Sequence, residues 1–148
     1  MLYNLTRQGE LELVYSLLAL AENYSGKGLV ESCIRTLHEA RTIREVGDAG
    51  YLLGAALMKK NEKEEAVHWL EKCLEDEWIE PSVEHKKAAK MQAMTFLQQL
   101  YFEMGEREKL LDISYRKLEN TEQSSLPNDS NFHALALLDL ANIHEALG

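Results

Sequence analysis

Five histidines, two cysteines and 25 acidic residues are the groups through which this 148-residue chain could do chemistry, and their spacing argues against it. His38, His68, His85, His133 and His144 form no His-Glu-x-x-His pair, and none belongs to a Cys/His ligand cluster. His133 and His144 could share a helix face, but at about three turns apart they cannot share a metal ion unless another chain contributes. All five therefore read as structural or surface residues. Cys33 and Cys73 stand singly inside apolar helical patterns, outside any Cys-x-x-Cys motif, and read as buried free thiols. That state suits a reducing, cytoplasmic setting. No Gly-x-Ser-x-Gly elbow, phosphate-cradling glycine loop or dinucleotide fingerprint occurs. Adjacent acids such as Glu64 and Glu65 lack anything that would desolvate one carboxyl relative to the other, as acid–base catalysis requires. We expect no catalysis, cofactor or metal. Trp69 and Trp78 could form an aromatic cage or stacking platform. At nine residues apart in one expected helix they share a broad face, where packing against a neighbouring hairpin is the commoner use.

Charge narrows the partners. With 16 basic against 25 acidic residues the formal net charge is −9, which repels nucleic acid and anionic membrane surfaces. The acidic runs 61–65 and 75–80 are expected to be solvated faces. No stretch reaches the roughly eighteen apolar residues of a membrane span. Residues 11–21 look faintly like a secretory leader, but Glu10 and Glu12 interrupt the pattern and the same residues fit a helical register. A chain that is 45% hydrophobic and 28% charged, with 2 Pro and 8 Gly, has the balance of a folded helical protein rather than a disordered one.

The elements that must position these residues are helices throughout. Apolar residues recur at three- and four-residue spacing, and no useful segment alternates as a strand would. Turn signals at 26–28, 47–50, 60–61, 80–81, Gly105 and 120–131 divide the chain into seven helices, near 3–25, 29–46, 48–60, 62–78, 81–104, 106–121 and 130–147. Most links are two to four residues long, so consecutive helices form antiparallel hairpins.

Gly28, Asn61, Gly105 and Gly148 each follow a helix with one internal pattern, at spacings of 33, 44 and 43 residues. The pattern reads Leu20-Ala21-Glu22-Asn23-Tyr24, then Cys33, Leu37 and Ala40; Leu53-Gly54-Ala55-Ala56-Leu57, then Ala66, Leu70, Cys73 and Leu74; Leu97-Gln98-Gln99-Leu100-Tyr101, then Leu110; and Leu140-Ala141-Asn142-Ile143-His144. It resembles the tetratricopeptide repeat, with Leu-Gly-x-x-Tyr on the first helix of a hairpin and Ala-x-x-x-Phe on the second. Gln98 and Ser114 depart from the small and large apolar residues that the family places there. The small residue lets two helices approach, and the large ones fill the space between hairpins.

The resemblance implies an all-α, right-handed superhelical solenoid of antiparallel hairpins, with units near 11–46, 47–80, 81–124 and an incomplete 130–148. It also implies a protein-interaction scaffold that holds a peptide or helical segment in a groove lined by the first helix of each hairpin. The groove positions are Tyr15, Leu18, Glu22 and Ser25; Asp48, Tyr51, Ala55 and Met58; Gln92, Thr95, Gln99 and Phe102; and Leu135, Leu138, Asn142 and Glu145. Apolar residues alternating with amides suit side-chain pockets and backbone hydrogen bonds. The cations that grip chaperone C-terminal carboxylates in one subgroup are missing, since Leu18, Glu22, Tyr51, Ala55, Thr95 and Gln99 stand in their places. The last helix carries Leu137, Leu138, Leu140, Ala141 and Leu147 with no helix after it to cover them. This leads us to expect either a piece of a longer repeat protein or self-association through that face. The alternatives to a groove binder are a structural or self-associating module and a regulatory peptide-sensing solenoid.

Overall fold

The computed structural model describes residues 7–122 and 141–145, which fall in two compact units, 1–93 and 94–148. Most of the expected seventh helix, Leu138 included, lies outside the described residues. The described residues form six helices besides 141–145: α1 (Arg7–Gly26), α2 (Val30–Ile43), α3 (Gly47–Lys59), α4 (Lys63–Glu75), α5 (Val83–Met104) and α6 (Arg107–Glu122). Residues 141–145 are also helical, and no strand occurs among the described residues. The all-α expectation holds. Two helix ends need correction: α2 stops at Ile43 instead of near 46, and α4 stops at Glu75, so Trp78 is not on a helix with Trp69.

The turns reveal why the hairpins repeat. Gly28, Asn61 and Gly105 occupy the left-handed region, with φ of 77°, 60° and 74°. A side chain is disfavoured there, which selects glycine or asparagine. In each turn the following N–H is donated to a carbonyl five residues back: Leu29 to Tyr24 at 2.9 Å, Glu62 to Leu57 at 3.0 Å and Glu106 to Tyr101 at 2.9 Å. The acceptors are the residues at the tyrosine position of the repeat pattern. The same three donors then accept the first bond of the next helix, from Cys33 at 3.0 Å, Ala66 at 3.0 Å and Leu110 at 2.9 Å. Hydrogen bonding therefore reproduces the register read from the sequence at three successive hairpins.

Packing follows the same register. In unit 1–93 the core runs through Val14, Leu18 and Ala21 of α1, Cys33, Leu37 and Ala40 of α2, and Val46, Ala49, Leu53 and Ala56 around α3. Ala66, Leu70 and Cys73 of α4 are fully buried. Between α3 and α4 the helices approach so closely that a Cβ on Gly54 would lie 2.5 Å from Leu70 Cγ. Sixteen residues separate this pair, as they separate Ala21 from Leu37 and Gln98 from Ser114.

In unit 94–148 the two departures from the pattern meet each other. Gln98 Nε2 donates to Ser114 Oγ at 2.9 Å, Ser114 Oγ donates to the Leu110 carbonyl at 2.7 Å, and Lys117 Nζ donates to Gln98 Oε1 at 3.1 Å. The long side chain has moved from α6 to α5 and the short one from α5 to α6, so the filled volume is kept. The buried hydroxyl and the amide are both satisfied, as burial demands. Asn120 on Met94, and Lys109 over the Tyr101 ring, mark the antiparallel run of α6 along 94–104.

Candidate functional site

In unit 1–93 the expected groove positions divide into three kinds. Leu18 is 8% exposed and belongs to the core, which corrects its placement on the groove surface. It lies four residues after Val14 and three before Ala21, so the helical period carries it inward with them. Glu22 is exposed, while Ala55 and Met58 are half-buried. Ser25 accepts a hydrogen bond from Lys59 Nζ at 2.9 Å, joining the ends of α1 and α3.

The remaining positions hold the chain itself. Residues 77–80, between α4 and α5, are bound by Tyr15, Asp48 and Tyr51. The Ile79 N–H donates to Asp48 Oδ1 at 2.9 Å, and the Tyr15 hydroxyl donates to the Ile79 carbonyl. The Gly47 N–H donates to the Glu77 carbonyl at 2.9 Å. The Trp78 ring lies 6.2 Å from the Tyr51 ring at a 40° tilt, and its indole N–H donates to the Cys73 carbonyl at 2.8 Å. Gly47 makes room for it, since a Cβ there would sit 2.1 Å from Trp78 Nε1. Ile79 packs against the core formed by α1, α2 and α3. Arg44 Nη2 to Glu77 Oε2 at 3.5 Å and Lys72 Nζ to Asp76 Oδ2 at 3.1 Å tie down the acidic side chains. The acidic run 75–80 therefore keeps exposed carboxylates at Glu75 and Glu77, as expected, but beyond Glu75 it is a strap across the first turns of α3 rather than a helix face.

Burial is the main influence on Asp48 and raises its pKa above the ordinary carboxylate value. Hydrogen bonds from the Ile79, Asp48 and Glu80 backbones oppose this, and the Glu80 charge adds to it. A partly buried carboxylate at the first turn of a helix also faces the positive end of the helix dipole. It is therefore well placed to accept a peptide N–H.

On the other side of the hairpins, Trp69 of α4 is wedged against α2. Arg41 stacks over its ring at 4.2 Å, and His38 and His68 meet it edge-on at 5.7 and 4.7 Å. Burial, with the Arg41 charge, lowers the His38 pKa, and Glu65 works against this. The two tryptophans thus serve different faces.

In unit 94–148, Thr95, Gln99 and Phe102 lie on α5 at spacings of four and three residues, so they share one face. All three are exposed, and Phe102 retains 56% of its accessible surface. Gln99 Nε2 donates to Glu103 Oε1 at 3.3 Å. Asn142 is exposed on the helical segment 141–145, which contacts α6 through Tyr115 and His144 with ring centres 6.3 Å apart. Ala141 is exposed. Among the described residues no three His, Cys, Asp or Glu side chains are grouped to hold a metal ion. No helix among the described residues is long and apolar enough to cross a membrane.

Comparison with solved structures returns the crystal structure of MamA, a tetratricopeptide-like protein, at a TM-score of 0.58. The match covers 93% of this chain and 84% of that one, at 18% identity. The fold is a tetratricopeptide-like helical repeat. No family model matches the chain, and no curated protein does. At this identity the likeness concerns the fold, whose hairpin register is the one fixed by Gly28, Asn61 and Gly105.

Proposed function

We propose that the chain is a protein-interaction scaffold that holds an extended or helical segment of a partner on the first helices of its hairpins, and that it catalyses nothing. The observation that supports this best is the exposed row Thr95, Gln99 and Phe102. An aromatic side chain left more than half exposed beside an amide and a hydroxyl is the mixture that peptide-binding faces use. Glu22, Ala55 and Met58 are the corresponding surface in unit 1–93, and Asn142 continues the series. The partner is a protein or peptide rather than nucleic acid or a membrane, given the net charge of −9. Two buried free thiols support a reducing, cytoplasmic setting.

The test is capture from lysate by the native chain and by a Phe102→Ala, Ala55→Arg variant, with circular dichroism confirming that both are helical. A protein recovered by the first and lost by the second supports the reading; identical recoveries contradict it. A second reading, self-association, has its own observation. Leu20 is 42% exposed, whereas its equivalents Leu53 and Leu97 are fully buried, and Leu13 beside it on α1 is 41% exposed. In unit 1–93 Leu53 of α3 belongs to one core with Cys33, Leu37 and Ala40 of α2. A second copy docking there would give a sedimentation coefficient that rises with concentration and stops rising in a Leu13→Glu, Leu20→Glu variant.

A further inference from the structure

We infer that residues 77–80 are an intramolecular pseudo-ligand, and that the face of Tyr15, Gly47, Asp48 and Tyr51 is a binding site for an extended peptide carrying an aromatic-aliphatic pair between acidic residues. This rests on the scaffold reading and gives it a ligand chemistry.

The contacts are those of peptide recognition rather than of an ordinary link between helices. Both backbone polar groups of Ile79 are read by side chains from two different helices: its N–H by the Asp48 carboxylate of α3 and its carbonyl by the Tyr15 hydroxyl of α1. A third backbone group, the Glu77 carbonyl, takes the Gly47 N–H at the start of α3. Main-chain hydrogen bonds that give affinity, with pockets for selected side chains that give specificity, are the means by which extended peptides are recognised. The pockets are here as well. Trp78 fills the space that Gly47 leaves open and lies against Tyr51, and Ile79 reaches the core. Tyr15, Asp48 and Tyr51 are also three of the positions that the repeat pattern assigns to ligand contact. Arg44 and Lys72 supply cations to Glu77 and Asp76, so a peptide with acids before the tryptophan matches the surrounding charge.

Two consequences follow. The site is occupied in the resting chain, and a competing peptide must displace the strap. The strap is held at both ends, by α4 and α5, so its local concentration at the site is high and an external peptide of the same sequence competes poorly. Emptying the strap should expose the site.

The experiment measures fluorescence anisotropy of a labelled peptide with the sequence of residues 75–81, Glu-Asp-Glu-Trp-Ile-Glu-Pro, titrated with the full chain and with a Trp78→Gly, Ile79→Gly variant. The variant is expected to bind at least tenfold more tightly than the native chain, and adding Tyr51→Ala is expected to abolish the gain. Equal binding by both chains, or binding by neither while the variant remains helical, overturns the inference. If the variant does not fold, amide hydrogen exchange replaces it. Tyr15→Phe with Asp48→Ala should raise exchange of the Ile79 and Glu80 amides at least tenfold and leave the α2 and α4 amides protected. Exchange at Ile79 and Glu80 that rises only together with α2 and α4 would show the strap to be an inseparable part of the fold, and would also overturn the inference. Capture by the Phe102 and Ala55 surface is independent of both measurements, so the scaffold reading can stand where the pseudo-ligand fails.

Discussion

Exchanging Gln98 and Ser114 for the residues of the other hairpins tests whether the repeat register is a packing rule. Gln98→Ala removes two hydrogen bonds, 2.9 Å to Ser114 and 3.1 Å from Lys117, in a half-buried setting. At about 1 kcal/mol for each net hydrogen bond, this costs roughly 1–2.5 kcal/mol. Ser114→Leu places a large side chain against the intact Gln98, and overpacking of this kind costs about 1–3 kcal/mol. The double variant rebuilds the Ala21 and Leu37 arrangement. It also buries a leucine, which contributes about 2 kcal/mol. The double variant should therefore be less destabilised than the two single changes added together, by about 2 kcal/mol. The assay is denaturant unfolding followed by circular dichroism on all four chains. Single changes that add to within about 0.5 kcal/mol would refute the reasoning, because the two positions would then not share one volume.

Three further predictions rest on single positions. Gly54→Ala should gain about 1 kcal/mol of helix propensity and lose about 1–3 kcal/mol by pushing its new Cβ into Leu70, so the net change seen in thermal unfolding is destabilising. Asp48→Asn keeps an acceptor for Ile79 without the buried charge. The folded-state pKa of Asp48 is raised, so its ionised form weakens the fold as pH rises through that pKa and the penalty is relieved below it. The variant should therefore gain stability relative to the native chain at neutral pH, and the gain should shrink as pH falls through the carboxylate range. His38 behaves in the opposite way. Its folded pKa lies below 6.5, so stability is present above that value and is lost as pH falls toward the folded pKa. In His38→Gln the pH dependence of the unfolding midpoint below about pH 6.5 should flatten.

Much of the hairpin frame was legible in the residues. Gly28, Asn61 and Gly105 mark helix ends because only a left-handed residue lets the following N–H reach five residues back, and a turn of that kind favours Gly or Asn. The apolar stripes of α1 and α2 follow from their period. Leu18 follows from the same period, which puts it on one stripe with Val14 and Ala21; that local signal outweighs the repeat family's groove register, which places it outside. The end of α4 was harder to read. No glycine or proline stands at Asp76, and the helix stops where the Asp76 N–H bonds back to the Lys72 carbonyl and the chain turns extended. Pro81, which biases Glu80 away from helix, was the available clue that the residues before it were extended. The strap itself involves tertiary bonds from α1 and α3, 64 and 31 residues away in sequence, which no local pattern encodes. The compensation between Gln98 and Ser114 was visible as two departures sixteen residues apart, the spacing of Gly54 and Leu70, but only the structure shows that they touch.

The central claim is that the first helices of the hairpins form the binding face. The most direct test places a photoreactive benzoylphenylalanine at Ala55 or at Phe102 in one set of chains, and at Glu39, exposed on α2, in another. After irradiation in lysate, the crosslinked peptide is sequenced by mass spectrometry. The account predicts a partner peptide crosslinked from position 55, a partner peptide crosslinked from position 102, and none from position 39. Crosslinks from position 39 alone, or unrelated products from all three positions, would contradict it.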